Sequence, residues 1–270
     1  MYLDLGLAWD ARRSPSMIDL ALHHGFVGVA ETVTMNASQL GQKVQCPITL
    51  GRQPVVSSHQ GVLQRRFADL GLGLAQEPLL ILRRLNLLVH DSVQVASANR
   101  ASESGLGYDF IVMRPMSEEA FQFVCEQGEC DLISLPMDIA MPFVLRQFLV
   151  NRFLQRGGFF EIEFAPMVRD TARRRQLLTN VAHLLHATKG KGVVLSSGAA
   201  DNMEMRSPAD LVNFAAVLGL RGERARKSLS TNPLRVLQKA ALRRGGPLHA
   251  ISASLRESHK AFADIEMKDG

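Results

Sequence analysis

The sequence is nearly without tyrosine and tryptophan, with 2 Tyr and 1 Trp in 270 residues. Proteins that hold unstacked bases do so on aromatic platforms, so base reading by stacking has little material here, and Phe121 and Phe123 sit in apolar patterns that read as core. No apolar run approaches the roughly 18 residues a membrane-spanning helix needs. The 3 cysteines, Cys46, Cys125 and Cys130, have no metal-type spacing, which fits a reducing intracellular compartment. The first ten residues carry Asp4 and Asp10 and no basic-then-apolar leader, so no secretory signal is expected. Gly71-Leu72-Gly73 is not a dinucleotide fingerprint, because no strand precedes it and no third glycine follows at the required spacing. Gly190-Lys191-Gly192 precedes a strand, whereas a phosphate-cradling loop follows one. No His-x-His chelating pair, placed general base for Ser196-Ser197 or internal repeat is visible.

What is present is the balance of an ordinary globular protein, 46% hydrophobic and 21% charged. The net charge is +5, and its distribution matters more than its size. Arginines fall together at Arg12/Arg13, Arg65/Arg66, Arg83/Arg84, Arg173/Arg174/Arg175, Arg221/Arg224/Arg226 and Arg243/Arg244. The guanidinium fork matches phosphate geometry, so repeated clusters point toward an anionic polymer, although any one pair also reads as a solvated helix face.

Apolar runs alternate with helical patterns. Strands are expected at Tyr2–Leu7, Phe26–Ala30, Leu85–Val89, Tyr108–Met113, Asp131–Leu135, Phe143–Leu145, Phe159–Phe164 and Val193–Leu195, the sixth being the weakest. Ser14-Pro15 opens a helix that Gly25 ends, and Ser117-Glu118-Glu119 opens another. A long helix is expected from Arg169 to Thr188, and further helices over Ser207–Leu218, Glu223–Ser228 and Asn232–Arg244. Eight short strands, each followed by helical pattern, predict an α/β fold: a TIM-like (β/α)8 barrel, with a doubly wound open sheet as the alternative. One barrel domain over residues 1–246 is expected. It carries a long Gly/Pro/Ser-rich insertion at 41–78 after the second unit, with a short helix around Leu63–Leu70. Extra C-terminal helices and a helix or tail at 247–270 complete it.

Side chains alternate along a strand, so Glu161 and Glu163 are expected inside the barrel, and Asp4 with them. Glu31, His90, Asp91 and Arg114 lie near the strand ends where barrel enzymes keep their chemistry. A metal-dependent phosphoesterase using Asp4, Glu31, His90, Glu161 and Glu163 is therefore one reading. The other is a structural polar core paired with Arg84 or Arg114, since buried charges persist only when paired. A protein-only scaffold is a third.

The stretch Lys189–Asp210 reads as a helix end, a short buried strand, a small polar turn (Ser196-Ser197-Gly198-Ala199-Ala200) and a helix start at Ser207-Pro208. It looks like a docking edge. Arg169, Arg173 and Arg174 open the long helix, with Arg169 and Arg173 expected on one face, and Lys189 and Lys191 close it. With Arg206, these six are the candidate RNA contacts.

The same region carries a resemblance. Asp131-Leu132-Ile133, Arg156-Gly157, Phe160-Glu161-Ile162, Ala165-Pro166, Arg169-Asp170, Arg173-Arg174, Lys189-Gly190-Lys191, Val194, Ser196-Ser197, Arg206, Pro208-Ala209-Asp210-Leu211, Leu218-Gly219-Leu220 and Ser230-Thr231-Asn232 follow one another as in a known family. In their order and spacing the chain resembles the ~30 kDa protein subunit of ribonuclease P and ribonuclease MRP, called protein component 3 in archaeal ribonuclease P. Residues 41–78 match nothing in that pattern, and Ala199-Ala200-Asp201-Asn202 departs from the family's usual turn. The resemblance implies a TIM-like barrel without metal ligands or cofactor, in a ribonucleoprotein that removes the 5′ leader of precursor tRNA and takes part in rRNA processing. The RNA is the catalyst there and uses Mg2+. It further implies as partners the catalytic RNA, precursor tRNA indirectly, a small protein subunit and a second copy of itself in a two-plus-two assembly. Residence in the nucleus and nucleolus is implied if the source is eukaryotic.

Overall fold

The apolar runs pair as seven parallel strands in chain order in the computed structural model, which describes residues 2–41, 46–48, 80–104 and 106–243. They are β1 (Leu3–Ala8), β2 (Gly28–Asn36), β3 (Leu80–Val89), β4 (Phe110–Pro115), β5 (Leu132–Ser134), β6 (Phe159–Glu163) and β7 (Val193–Ser196). The helices are α1 (Ser14–His24), α2 (Ser92–Ser104), α3 (Glu118–Gln127), α4 (Gln147–Gln155), α5 (Pro166–Arg169), α6 (Thr171–Thr188), α7 (Pro208–Val217), α8 (Glu223–Leu229) and α9 (Thr231–Arg243). Parallel neighbours require crossovers, and strands paired in chain order with helices between them curl into a barrel.

Two apolar shells follow from strand alternation. Val29, Leu87, Met113, Ile133, Phe160, Ile162 and Leu195 face outward, where Met17, Val95, Phe121, Phe153, Leu184 and Leu211 of the helices cover them. Leu3, Leu5, Ala30, Leu82, Phe110, Val112, Leu132, Phe159 and Val194 fill the interior. The interior cluster is closed at the strand N-termini by Val236, Leu237 and Ala240 of α9. Burying each such aliphatic side chain is worth about 1.5–3 kcal/mol. Polar bonds fix the stopper: Asn232 Nδ2 donates to Val193 O at 2.7 Å, and Arg243 Nη2 to Asp131 Oδ2 at 2.5 Å. Burial pushes the Asp131 carboxyl upward, and the Arg243 charge works against that shift.

The seam between β1 and β7 has no ladder. Ala8 N donates to Ala199 O at 2.8 Å, and Asp4 Oδ1 accepts from Ser197 N at 3.0 Å and from Gly6 N at 3.1 Å. A side-chain carboxylate thus replaces missing backbone pairing. The β1 register slips between Asp4 and Leu7, and Gly6 lies in that slip. A Cβ there would stand 2.6 Å from Ser196 Oγ, so only glycine lets the two strands approach this closely.

The barrel is as expected, with corrections. Among the described residues it has seven strands where eight were expected, because Phe143–Leu145 forms none. Phe143 stacks on Phe121 at 4.6 Å between centroids while Val144 is 70% exposed, so the segment is held by one ring and not by strand pairing. Asn180 Nδ2, on α6, fixes the preceding turn by donating to Pro136, Met137 and Ile139 carbonyls at 2.8–3.2 Å. Strand β3 begins at Leu80, ahead of the expected Leu85, because Arg83 and Arg84 interrupt an apolar run that continues as strand. The long helix expected from Arg169 is broken at Asp170, whose backbone is extended (φ −155°, ψ 168°) and whose side-chain Oδ1 caps α6 by accepting from Arg173 N at 2.8 Å. Arg169 therefore belongs to α5 and does not share a helix face with Arg173. Most of the insertion at 41–78, its helix at 63–70 and the tail at 247–270 lie outside the described residues. Among the described residues no helix is long and apolar enough to cross a membrane.

Candidate nucleic-acid interface

Charges inside the barrel form two stacked ion pairs. Arg84, on β3 and wholly buried, donates from Nη1 and Nη2 to the two Glu161 carboxylate oxygens at 2.5 Å each, and from Nη1 to Leu5 O at 2.6 Å. Ser196 Oγ donates to Glu161 Oε1 at 2.7 Å. Burial opposes the Glu161 charge, yet the Arg84 guanidinium and these hydrogen bonds hold its carboxyl below the usual range. One layer nearer the strand C-termini, Arg114 pairs with Glu163 and bonds Ser134 Oγ at 2.7 Å.

These pairs remove the residues a hydrolase would use. Glu161 and Glu163 are bound to arginine. Leu3 and Leu5 take the interior positions of β1, so Asp4 between them is not in the barrel interior, where it was expected, and instead closes the seam with β7. Burial raises the Glu31 carboxyl, which lies 5% exposed, against a hydrogen bond from Ser14 that lowers it. His90 is exposed, and its backbone caps the neighbouring turn through Gln94 and Ser117. Among the described residues no three His, Cys, Asp or Glu side chains gather as a metal site. Within the stretch Lys189–Asp210 read as a docking edge, Ser196 and Ser197 are fully buried, facing the interior and the seam, and so present no docking surface.

The six candidate cations divide between the two ends of the barrel. At the strand C-termini, Arg169 is clamped by Glu204, from Nε at 2.7 Å and Nη2 at 3.0 Å, and also reaches Gly198 O. Burial works against the Glu204 charge, but Arg169 outweighs it and keeps the carboxyl low. Gly198 has φ +61°, and a Cβ there would lie 2.8 Å from Glu163 Cβ, so the β7–α7 loop passes close over β6 only as glycine. Arg173 pairs with Asp170 at 3.1 Å and reaches Asp138 at 3.9 Å. Arg174 Nε donates to Met167 O at 2.8 Å. Arg206 donates to Met203 and Met205 carbonyls and lies 5.9 Å from the Phe164 ring centroid. Lys189 and Lys191 stand at the other end, beyond the C-terminus of α6.

The six candidates left out Arg175 of the same arginine cluster, which is exposed and next in line on α6, and the sequence did not mark Asp138 and Glu204 as counterions. It counted Arg83/Arg84 among the arginine clusters; Arg84 is instead the interior partner that the polar-core reading offered, and Arg83 is tied to Asp109 at 3.2 Å. Arg243 likewise belongs to the α9 stopper. The surviving signal is the run Arg173–Arg175 in the first turn of α6. This is the positive end of the helix dipole, where a cation is unfavourable by about 0.3–1 kcal/mol; Asp170 offsets part of that.

Comparison with known proteins agrees with this geometry. The family model described as RNase P subunit p30 matches residues 1–245. The chain is 32% identical over 247 residues to Protein GAMETOPHYTE DEFECTIVE 1 of Arabidopsis thaliana, covering 90% of this chain but 42% of that protein, so it spans less than half of that relative's length. It is 26% identical to Ribonuclease P protein subunit p30 of Mus musculus, covering 85% of this chain and 81% of the mouse protein. Its fold is similar to a chain in the cryo-EM structure of archaeal Ribonuclease P with mature tRNA, with a TM-score of 0.60, 13% identity and coverage of 88% and 91%. A family match across nearly the whole chain, with a barrel whose interior carboxylates are bound to arginine, places the chain in the RNase P subunit p30 family.

Proposed function

We propose that this chain is a non-catalytic protein subunit of a ribonuclease P ribonucleoprotein, and of ribonuclease MRP, that supports the RNA in removing the 5′ leader of precursor tRNA and in rRNA processing. It contacts RNA phosphates through the arginines at the strand C-termini. The observation that carries this reading is Arg173–Arg175 at the positive end of α6, where the helix gains nothing from them and an external phosphate would. Arg169 and Arg206, held by Glu204 and by backbone carbonyls, are pre-oriented beside them. Hydrolysis and the Mg2+ that serves it belong to the RNA. The exposed apolar side chains Ile139, Val144, Phe148 and Leu178, at 39–70% exposure, support docking of a small protein subunit, on which a two-plus-two assembly would be built. In a eukaryotic source the complex would reside in the nucleus and nucleolus.

The test is reconstitution of precursor-tRNA cleavage from the RNA and the remaining protein subunits. Adding this chain is expected to raise the rate at limiting Mg2+, while the chain alone with Mg2+ cleaves nothing. Cleavage by the protein alone, or a rate indifferent to its presence, would contradict the reading.

A further inference from the structure

We propose that the protein carries a second phosphate-binding surface at the opposite end of the barrel, formed by Lys189, Lys191, Arg221 and Arg224, so that one chain joins two separate RNA segments. This rests on the RNA-binding reading above and extends it from one contact surface to two.

Local structure brings together the two segments that carry these four residues. Lys189 ends α6 in the left-handed conformation (φ 53°, ψ 32°), and the next residue, Gly190, is left-handed as well. The loop so formed folds back onto the turn before α8. Arg224 Nη1 donates to Lys189 O at 2.9 Å. The position a Gly190 Cβ would take lies 3.2 Å from Leu220 Cδ2 and 3.4 Å from Arg224 Nη1. Arg221 follows Leu220 directly. All four cations are exposed. Among the described residues none of them forms an ion pair, and the nearby Glu223 is bound to Lys227 at 2.7 Å. A lysine at a helix C-terminus is favoured by the dipole, which accounts for Lys189 but not for the two arginines gathered beside it.

The two basic surfaces are separate. Helix α6 runs 18 residues from one to the other, about 25 Å at 1.5 Å per residue. Residues 176–188 contain no lysine or arginine, and the exposed positions between the ends are Leu178, Thr179, Ala182, His183 and His186. The screening length at physiological salt is about 8 Å, so along this helix a phosphate at one end is not held by the charges at the other. A continuous basic stripe would follow one strand; two patches divided by a neutral face fit two.

The experiment is native mass spectrometry of the full chain titrated with a short RNA hairpin, paired with energy transfer between hairpins carrying donor and acceptor dyes. The wild type is expected to take up two hairpins and bring the dyes together. Lys189→Gln/Lys191→Gln/Arg221→Gln should bind one and lose the transfer, as should Arg173→Gln/Arg174→Gln; circular dichroism of each confirms the fold. Arg224 is left in place because it holds the loop. One hairpin per wild-type chain, with affinity insensitive to the lysine-end substitutions, would overturn the second surface and leave RNA binding at the arginine end standing. No hairpin bound at all would overturn the RNA-binding reading and this inference with it.

Discussion

Glu161→Gln should destabilise the fold by about 3–5 kcal/mol, the cost of leaving a buried charge without its partner. The glutamine has nearly the same shape, but Arg84 would then be a fully buried guanidinium bonded to Leu5 O and a neutral amide, its charge left to the more distant Glu163 and Asp4. At a urea m-value of about 2–3 kcal/mol/M, the unfolding midpoint should fall by about 1–2 M. The double replacement Arg84→Met/Glu161→Leu is the control: with both charges gone the penalty disappears, and the protein should return to wild-type stability or exceed it by up to about 4 kcal/mol. The pH dependence has a fixed sign. Glu161 is held below its ordinary value in the folded state, so its stabilisation is complete above the unfolded carboxyl value of about 4.3. It is lost as the pH falls through the depressed folded value. Wild type and Glu161→Gln should therefore differ fully at pH 7 and converge only at strongly acid pH. An unchanged midpoint at pH 7 would mean the pair does not organise the barrel interior.

The second large effect concerns the arginine end. Arg173→Gln/Arg174→Gln/Arg206→Gln should weaken binding to the ribonuclease P RNA by about a hundredfold at 0.15 M salt and lower the slope of log K against log[salt] by about 2–3 units. This is the amount for three phosphate contacts that each release about 0.9 counterion. Fold stability should change little. Arg173 makes only exposed ion pairs, which are worth about 0–1 kcal/mol. The packing of Arg206 over Phe164 is worth about 0.5–1 kcal/mol. Filter binding across a salt series separates the outcomes: equal affinity and slope would remove these side chains from the interface.

The barrel was legible because its signals are local. Alternation in β6 put Glu161 and Glu163 inside, and Ser14-Pro15, Ser117 and Ser207-Pro208 marked helix starts that the structure reproduces. What was not legible depends on partners far away in sequence. The sequence offered Arg84 or Arg114 as partner for the inner carboxylates; that Arg84 takes Glu161, 77 residues on, and Arg114 takes Glu163 emerges only from the fold. Phe143–Leu145 has strand composition, yet the Phe121 ring and Asn180 amide claim it for a loop. Asp170 stops α5 and starts α6 within a run that looks like one helix. The separation of the candidate RNA residues was legible, since Arg173 and Lys189 stood at opposite ends of the expected long helix, as they do of α6.

The most direct measurement of the central claim is to recover the tagged protein from cells of its source and sequence the RNA that comes with it. Ribonuclease P RNA, with ribonuclease MRP RNA where the source has it, should be strongly enriched, and the enrichment should fall for Arg173→Gln/Arg174→Gln/Arg206→Gln. Recovery of the folded protein with no enrichment of either RNA would contradict the account.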